Sequence, residues 1–249
     1  MAEIEGTLTL SFEERLKQAF VPPSLYLRYR AQKELRRGEK EIRLLPFLVR
    51  RDGVAIDVGA NKGVWTYFLS AIATEVHAFE PNPKVLETLK RGAGANVTAH
   101  HIALADTTGR QKLRIPTGRK GWSNQGGSFR QHNFEKDYLG IDVETRKLDD
   151  YGFTNVTFIK IDVEGYESEV VRGAHETLLR ERPNLVIELE QRFTGRPIED
   201  MIGDVTALGY GAYALLDGVL TPVSLIDFEK HHRRAAPGAY VNNFIFLPR

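Results

Sequence analysis

The chain has 249 residues, of which 42% are hydrophobic and 27% charged, as in an ordinary globular protein. Its formal net charge of +1 gives no overall field that favours nucleic acid or a membrane surface, and the lack of cysteine excludes disulfides, thiolate catalysis and cysteine-based zinc sites. No stretch has the ~18–20 apolar residues of a membrane helix, and the acidic start lacks the basic region of a signal peptide. We therefore expect a soluble, cytoplasmic protein with no membrane span.

The first part of the chain predicts a helical extension. Residues 1–10 are expected to form a loose arm or short edge strand, and Ser11–Glu14 has the pattern of a capping box that opens a helix. A second helical stretch, strongly basic, runs from Ser24 to about Val49. Its basic residues are expected on a solvated face, with a docking surface for an anionic substrate or a partner subunit as the alternative. The apolar residues expected to pack inward are Leu35, Ile42, Leu45 and Phe47.

From this we predict an N-terminal segment of residues 1–43 packed on a single domain of residues 44–249. The charged N-terminal helices offer a surface through which subunits could pair as a homo-oligomer.

Strands alternate with helices through the rest of the chain. The predicted strands are Val54–Val58, Val76–Glu80, Val97–Leu104, Gln111–Ile115, Ile141–Arg146, Val156–Gly165 (ending in acids), Leu185–Glu190, Ala212–Leu216 and Asn242–Leu247. The predicted helices are Val64–Ala71, Lys84–Arg91, a short start at Leu148–Tyr151, Glu167–Arg180 and Pro197–Leu208. The glycine-rich stretch Pro116–Gly140 is expected to be irregular, as lids and binding loops are. This alternation predicts a parallel sheet covered on both faces, with a ligand beyond the carboxyl ends of its strands.

A turn rich in glycine follows the first strand and precedes a helix. Gly59, Asn61 and Gly63 lie in this turn, and glycine and asparagine are the residues that best tolerate positive φ angles. Such a turn is expected to offer free backbone N–H groups and a helix dipole to a ligand. The signal is weak alone, because tight turns without a ligand share it.

Two carboxylates sharpen this prediction. Glu80 ends the second strand, one βαβ unit after the turn, where an acid can bind both hydroxyls of a ribose. Asp57 lies beside the turn, where it suits a cationic ligand and repels a pyrophosphate. The dinucleotide fingerprint would have glycine in place of Asn61. We therefore favour S-adenosylmethionine (SAM) over NAD(P).

A second group of acids follows two later strands. Lys160, Asp162 and Glu164 are expected on one side of their strand, as are Glu188 and Glu190 on the next. If the strands are neighbours, these charges meet at one edge of the sheet. Three interpretations are open. In the first, Lys160 only neutralises Glu188 or Asp162. In the second, Asp162 and Glu164 face the sulfonium and the acceptor, one orienting and one taking a proton, and in the third the oxygens bind Mg²⁺ or Ca²⁺. We favour the catalytic interpretation, without a metal.

The histidines add little to this prediction. His132, in the irregular stretch, is the only one considered for an acceptor site, and the run His231–Arg234 is interpreted as a solvated turn.

Taken together, these motifs resemble the FkbM-type SAM-dependent methyltransferases. The elements that carry the resemblance, in chain order, are Asp57-Val-Gly-Ala-Asn-Lys-Gly63, Phe79-Glu-Pro-Asn-Pro83, Asn96 to Asp106, Gly127-Ser128, Leu148-Asp-Asp150 and Lys160-Ile-Asp-Val-Glu-Gly-Tyr-Glu167 to Gly173. They cover roughly Leu44 to Phe246.

The resemblance implies a class I methyltransferase fold: a Rossmann-like, seven-stranded, mostly parallel sheet whose last strand is antiparallel. It implies SAM as cofactor and transfer of a methyl group to a hydroxyl of a sugar, glycolipid or similar small molecule. The cofactor-binding residues that it implies are Asp57, Gly59, Asn61, Gly63, Glu80 and, near the adenine, Asp106. The alternatives that remain are a SAM-binding protein without turnover and an NAD(P)-dependent oxidoreductase.

Overall fold

The computed structural model of the chain describes residues 22–118, 121–122, 127–130, 138–234 and 240–249. The helices are α1 (Pro23–Arg37), α2 (Leu45–Leu48), α3 (Val64–Ser70), α4 (Pro83–Gly92), α5 (Glu167–Gly173), α6 (His175–Glu181), α7 (Gln191–Thr194) and α8 (Ile198–Thr206). The strands are β1 (Val54–Val58), β2 (Glu75–Phe79), β3 (Val97–His100), β4 (Ala103–Leu104), β5 (Gly109–Gly118), β6 (Gly121–Trp122), β7 (Tyr138–Arg146), β8 (Val156–Ile161), β9 (Asn184–Glu188), β10 (Tyr210–Leu216), β11 (Val219–Pro222) and β12 (Asn243–Pro248). The arm and helix predicted before residue 22 lie outside the described residues. None of the described helices is both long and apolar enough to cross a membrane.

The stretch from α1 to α2 is helical as predicted, but it is broken. Gly38 follows α1, and a 3₁₀-helix (Lys40–Leu44) leads into α2. The break changes the helical phase, so Phe47 is 84% exposed and the prediction that it packs inward is wrong. Ile42 and Leu45 are buried as predicted.

The central sheet of the described residues has eight strands in the order β11-β10-β12-β9-β8-β1-β2-β3. Strands β9, β8, β1, β2 and β3 are parallel, and β12 runs antiparallel between β9 and β10. The α/β class, the mainly parallel sheet and the antiparallel last strand are thus confirmed. The predicted count of seven is not, because the sequence analysis missed β11, which pairs with β10 as a hairpin.

A second sheet, in the order β4-β7-β5-β6, lies beside the first. The single strand predicted over Val97–Leu104 is divided, so that β3 belongs to the central sheet and β4 to the second one. The hairpin of β5 and β7 continues into the stretch predicted to be irregular, from Pro116 to Gly140, because β5 runs to Gly118 and β7 begins at Tyr138.

The two faces of the central sheet are covered by different parts of the chain. On β1, Ile56 packs into the core formed with α5, α6 and α8, whereas Ala55 packs into the core formed with α2 and α3. Because side chains alternate along a strand, Asp57 shares the face of Ala55. Lys160 likewise shares the face of Phe158, which belongs to the same core. The charged ends of these strands therefore meet the N-terminal segment.

The helix predicted over Glu167–Arg180 is two helices, α5 and α6, separated at Ala174. Gly173 ends the first of them, where a Cβ atom would lie 1.9 Å from the carbonyl oxygen of Ala105. The break alters the inward face, so Leu179, which one continuous amphipathic helix would bury, is 45% exposed.

Candidate active site

Two adjoining cavities open at the carboxyl ends of β1, β2, β8 and β9, where the sequence predicts a ligand. The first has a volume of about 90 Å³ and the second about 250 Å³. Gly59, Asn61, Asp162 and Glu164 line both cavities. The other residues of the first cavity include Phe79, Glu80, Asn82, Val85, Ile102, Leu104, Leu113, Phe129 and Tyr166. The other residues of the second are Arg30, Glu34, Glu39, Asp57, Ala60, Lys62, Val64, Trp65, Lys160 and Glu188.

The turn after β1 adopts the positive φ angles that its residues predict. Gly59, Asn61 and Gly63 have φ of 79°, 49° and 85°. At Gly59, a Cβ atom would lie 1.8 Å from the carbonyl oxygen of Asp162, so only glycine allows the turn to pass this close to the end of β8.

The backbone N–H groups of this turn are not free, and the expectation that they await a ligand is wrong. Gly59 and Ala60 both donate to the carbonyl of Phe79, and Asn61 donates to Glu80. Lys62 and Gly63 donate within the turn. Side chains therefore supply the polar groups of the cavities.

Glu80 is oriented by two backbone donors. The N–H of Asn61 donates to Glu80 Oε2 at 2.8 Å, and the N–H of Asn82 donates to Oε1 at 2.7 Å. The side chain is only 7% exposed, and burial raises its pKa to about 7 against the effect of these two bonds. Each oxygen keeps a second lone pair, so the carboxylate can accept one hydroxyl on each oxygen.

Asp57 is tied to the start of α3. Its carboxylate accepts hydrogen bonds from both the hydroxyl and the backbone N–H of Thr66. It is 2% exposed, and burial raises its pKa to about 6. Asp57 thus caps a helix while it lines the second cavity.

Lys160 lies in the middle of this cluster of charges, 1% exposed. Its Nζ donates to Asn243 Oδ1 at 2.9 Å and is 3.8 Å from Glu39 Oε2. The alternative in which Lys160 pairs only with Glu188 or Asp162 does not hold, because Glu39 and Asn243 contact it as well. Burial alone would lower the pKa of Lys160, but the surrounding carboxylates raise it, that of Glu39 most strongly. A buried cation with several acidic neighbours keeps its charge.

β8 pairs with β9, so the condition under which their acids were expected to meet is fulfilled, although Glu190 lines neither cavity. Asp162 follows β8, and the carboxyl of Glu188 at the end of β9 hydrogen-bonds to it. Burial, and then the charge of Asp162, raise the pKa of Glu188 well above its usual range. The protonated form of Glu188 is therefore favoured in this position.

The turn after Asp162 is strained. Glu164 has a positive φ of 53° although it is not a glycine, and Gly165 has φ of 98°. Glu167 holds the turn, because its Oε1 accepts the N–H groups of Val163 at 3.1 Å and Gly165 at 3.0 Å. Left-handed backbone at a residue other than glycine is concentrated at functional sites. Burial, and then Asp162, raise the pKa of Glu164 to about 7.

Residues 127–130 dock onto this turn. Ser128 Oγ donates to the carbonyl of Glu164 at 2.8 Å, and Arg130 Nε donates to that of Gly165 at 3.0 Å. Gly127 and Phe129 line the first cavity. Residues 127–130, which belong to the stretch predicted to be irregular, thus form part of the wall of the first cavity. His132 lies outside the described residues.

The structure places three other residues named in the sequence analysis away from the two cavities. Asp106 accepts two hydrogen bonds from Arg172, at 3.0 and 2.9 Å, and does not line either cavity; its role near an adenine stays a prediction. His231 and His232 are buried, 9% and 5% exposed, so the expected solvated turn is wrong. His232 stacks on Tyr240 and bonds the carbonyl of Val241.

Sequence reasoning missed several residues in and beside the second cavity, among them Glu39, Trp65 and Asn243. Glu39 is fixed by Trp65, whose Nε1 donates to Glu39 Oε2 at 3.0 Å. No spacing in the sequence indicates this contact. The position of Asn243 could have been predicted from the sequence. An antiparallel strand begins at the edge of the sheet where the parallel strands end, and Asn243 is the first residue of β12.

Comparison with known proteins identifies the family of the chain. Residues 57–210 match the family described as the methyltransferase FkbM domain. The chain is 29% identical over 157 residues to the 2-O-methyltransferase NoeI of Sinorhizobium fredii, a match that covers 56% of this chain and 64% of that protein. A crystal structure of methyltransferase FkbM from Methylobacillus flagellatus superposes with a TM-score of 0.52 at 17% identity, over 80% of this chain and 44% of that one.

Proposed function

The chain belongs to the FkbM methyltransferase family, and from that premise we propose that it is a SAM-dependent O-methyltransferase acting on a hydroxyl of a sugar, glycolipid or similar small molecule. The observation that carries the proposal is Glu80, a buried carboxylate at the end of β2 that two backbone N–H groups orient beside a cavity. A carboxylate held in this way suits the two hydroxyls of a ribose.

The first cavity has the chemistry of an adenosine site. Phe79, Val85, Ile102 and Leu104 give it apolar walls for a flat base, while Glu80 supplies the polar contact for a sugar. In this proposal, the predicted roles of Gly59 and Gly63 are indirect, since they shape the turn and Asn61 orients Glu80.

The second cavity suits a cation and a hydroxyl acceptor. Six carboxyl groups and three basic side chains line it. This excess of acid favours the positively charged part of SAM over the pyrophosphate of a dinucleotide. Bound here, SAM would supply an electrophilic methyl group.

Asp162 and Glu164 are the proposed catalytic carboxylates. Both line both cavities, so either can reach an acceptor hydroxyl that lies between them. A positioned base contributes roughly 10²–10⁴-fold to the rate. The hydrogen bond from Glu188 to Asp162 and the docking of residues 127–130 on Glu164 would hold both groups in place.

Incubation with isotope-labelled SAM and pools of glycans and glycolipids, followed by mass spectrometry, tests the reaction. Asp162→Asn and Glu164→Gln are expected to lower turnover more than SAM affinity, and Glu87→Gln, on the exposed face of α4, serves as the control. Equal losses of turnover and affinity would argue for a structural role of these acids. SAM binding without transfer to any acceptor would favour a binding protein.

The oxidoreductase alternative makes the opposite prediction. A dinucleotide would have to place its pyrophosphate against Asp57 and a turn whose N–H groups are already bonded. Thermal protection by NADH but not by SAM would favour that alternative and refute the proposal.

A further inference from the structure

Glu39 lies outside the region matched by the family and yet lines the second cavity. It follows α1 and precedes the 3₁₀-helix, whereas the family match begins at residue 57. The part of the cavity wall that Glu39 forms therefore lies outside the matched region, and the same N-terminal segment also contributes Arg30 and Glu34.

The side chain of Glu39 is held in one orientation. Trp65 Nε1 donates to its Oε2 at 3.0 Å, and its backbone N–H donates to Glu34 Oε1 at 3.2 Å. Among the described residues, none donates to Glu39 Oε1. The side chain is 28% exposed, so this second oxygen belongs to an oriented, partly accessible carboxylate on the cavity wall.

The contacts of Glu39 with Lys160 and with Trp65 both involve Oε2, so neither of them accounts for Oε1. The cavity wall has six carboxyl groups and three basic side chains. Burial raises the pKa of Glu39. Such a group gains most from a ligand that donates hydrogen bonds, and the wall repels an anionic ligand.

We propose that Glu39 binds the methyl acceptor, accepting a hydrogen bond on Oε1 from a hydroxyl next to the reacting one. The acceptor class that fits this wall is an uncharged polyhydroxylated ring, without phosphate or carboxylate near the reacting hydroxyl. This inference rests on the proposed function. It adds to that function a residue that binds the acceptor and a preference for uncharged acceptors.

Glu39→Gln is the informative variant, because its amide oxygen can still accept from Trp65 while an N–H₂ group replaces the free oxygen. Glu41→Gln, two residues further on and not part of either cavity, is the matched control. The assay measures labelled methyl transfer from SAM to methyl glycosides of neutral hexoses, to glucosamine, to glucose 6-phosphate and to glucuronic acid, and calorimetry measures SAM affinity.

The wild type is expected to prefer the neutral glycosides. Glu39→Gln should raise the acceptor KM about tenfold or more, as expected for one charge-assisted hydrogen bond, with SAM affinity within about twofold of wild type. An unchanged acceptor KM would overturn the inference, as would a wild-type preference for the phosphorylated or acidic sugars. An equal loss of SAM affinity would make Glu39 a cofactor contact instead. A wild type that binds no SAM would refute the proposed function itself, and the inference with it.

Discussion

Replacing Glu80 by alanine is expected to weaken SAM binding at least 100-fold. The carboxylate is oriented by Asn61 and Asn82 so that one lone pair on each oxygen remains for a ribose hydroxyl. Two charge-assisted hydrogen bonds of ~1.5–3 kcal/mol each would be lost. Even the lower sum of about 3 kcal/mol corresponds to roughly 10²-fold in Kd.

Isothermal titration calorimetry measures this change, and circular dichroism melting checks that the variant folds. Glu87→Ala, an exposed acid on α4, controls for the loss of a carboxylate. A folded Glu80→Ala protein that binds SAM as tightly as wild type would refute the ribose assignment.

The raised pKa of Glu80 gives the same prediction a pH dependence. With a pKa of about 7, this carboxyl is mostly protonated at pH 6 and mostly ionised at pH 8. Since both hydroxyls donate to the ionised form, SAM affinity should be about tenfold lower at pH 6 than at pH 8. This difference should shrink in Glu80→Ala; an equal slope in wild type and variant would assign the titration to another group.

Three further substitutions test the supports of the site. Gly59→Ala should destabilise the protein more than Gly195→Ala. Both positions have left-handed backbone, with φ of 79° and 70°. Only at position 59 would the added Cβ meet a backbone atom, the carbonyl oxygen of Asp162 at 1.8 Å. The left-handed backbone alone costs about 1–2 kcal/mol, so equal losses in urea titrations would contradict the steric argument. Lys160→Met should cost about 3–5 kcal/mol of unfolding free energy at pH 8, because buried carboxylates lose their cation. The cost should be smaller at pH 5, where these carboxylates can be protonated. A loss independent of pH would contradict the role of Lys160 as their counter-ion. Glu167, with its pKa raised by burial from 4.5 to about 7, binds a proton more tightly in the folded state, so its contribution to stability falls as pH rises through that window. Between pH 5 and pH 8, Glu167→Gln should lose up to about 3 kcal/mol less unfolding free energy than the wild type, as measured by chemical denaturation. An equal loss in variant and wild type would show that the Glu167 carboxyl is ionised throughout this range.

The sequence predicted the parts of the site that local patterns determine. Glycine and asparagine at positive φ, an acid ending the second strand and acids ending β8 and β9 are all properties of short segments. The adjacency of β8 and β9 was only a condition in the sequence analysis, because the alternation of strands and helices does not determine strand order, and the structure supplies it. These features place Glu80, Asp162 and Glu188 at one edge of the sheet.

The features that sequence reasoning missed depend on packing between distant segments. Glu39 reaches the cavity only because α1 and the 3₁₀-helix cover the face of the sheet that carries Lys160. Phe47 was assigned inward by a helical phase that the break after α1 does not preserve. The left-handed conformation of Glu164 is imposed by Glu167, and no residue preference indicates it.

The pairing of Lys160 with Asn243 has a consequence for how the protein is made. Synthesis proceeds from the N-terminus, so a growing chain on the ribosome contains the lysine 83 positions before its amide partner. Until β12 inserts between β9 and β10, the ammonium group of Lys160 lacks the Asn243 side chain as a hydrogen-bond acceptor. Strands β9 and β10 also lack the strand that lies between them. The charged cluster around Lys160 is therefore complete only once β12 has been made, and a fragment ending at residue 240 would leave β9 without its neighbour on that side.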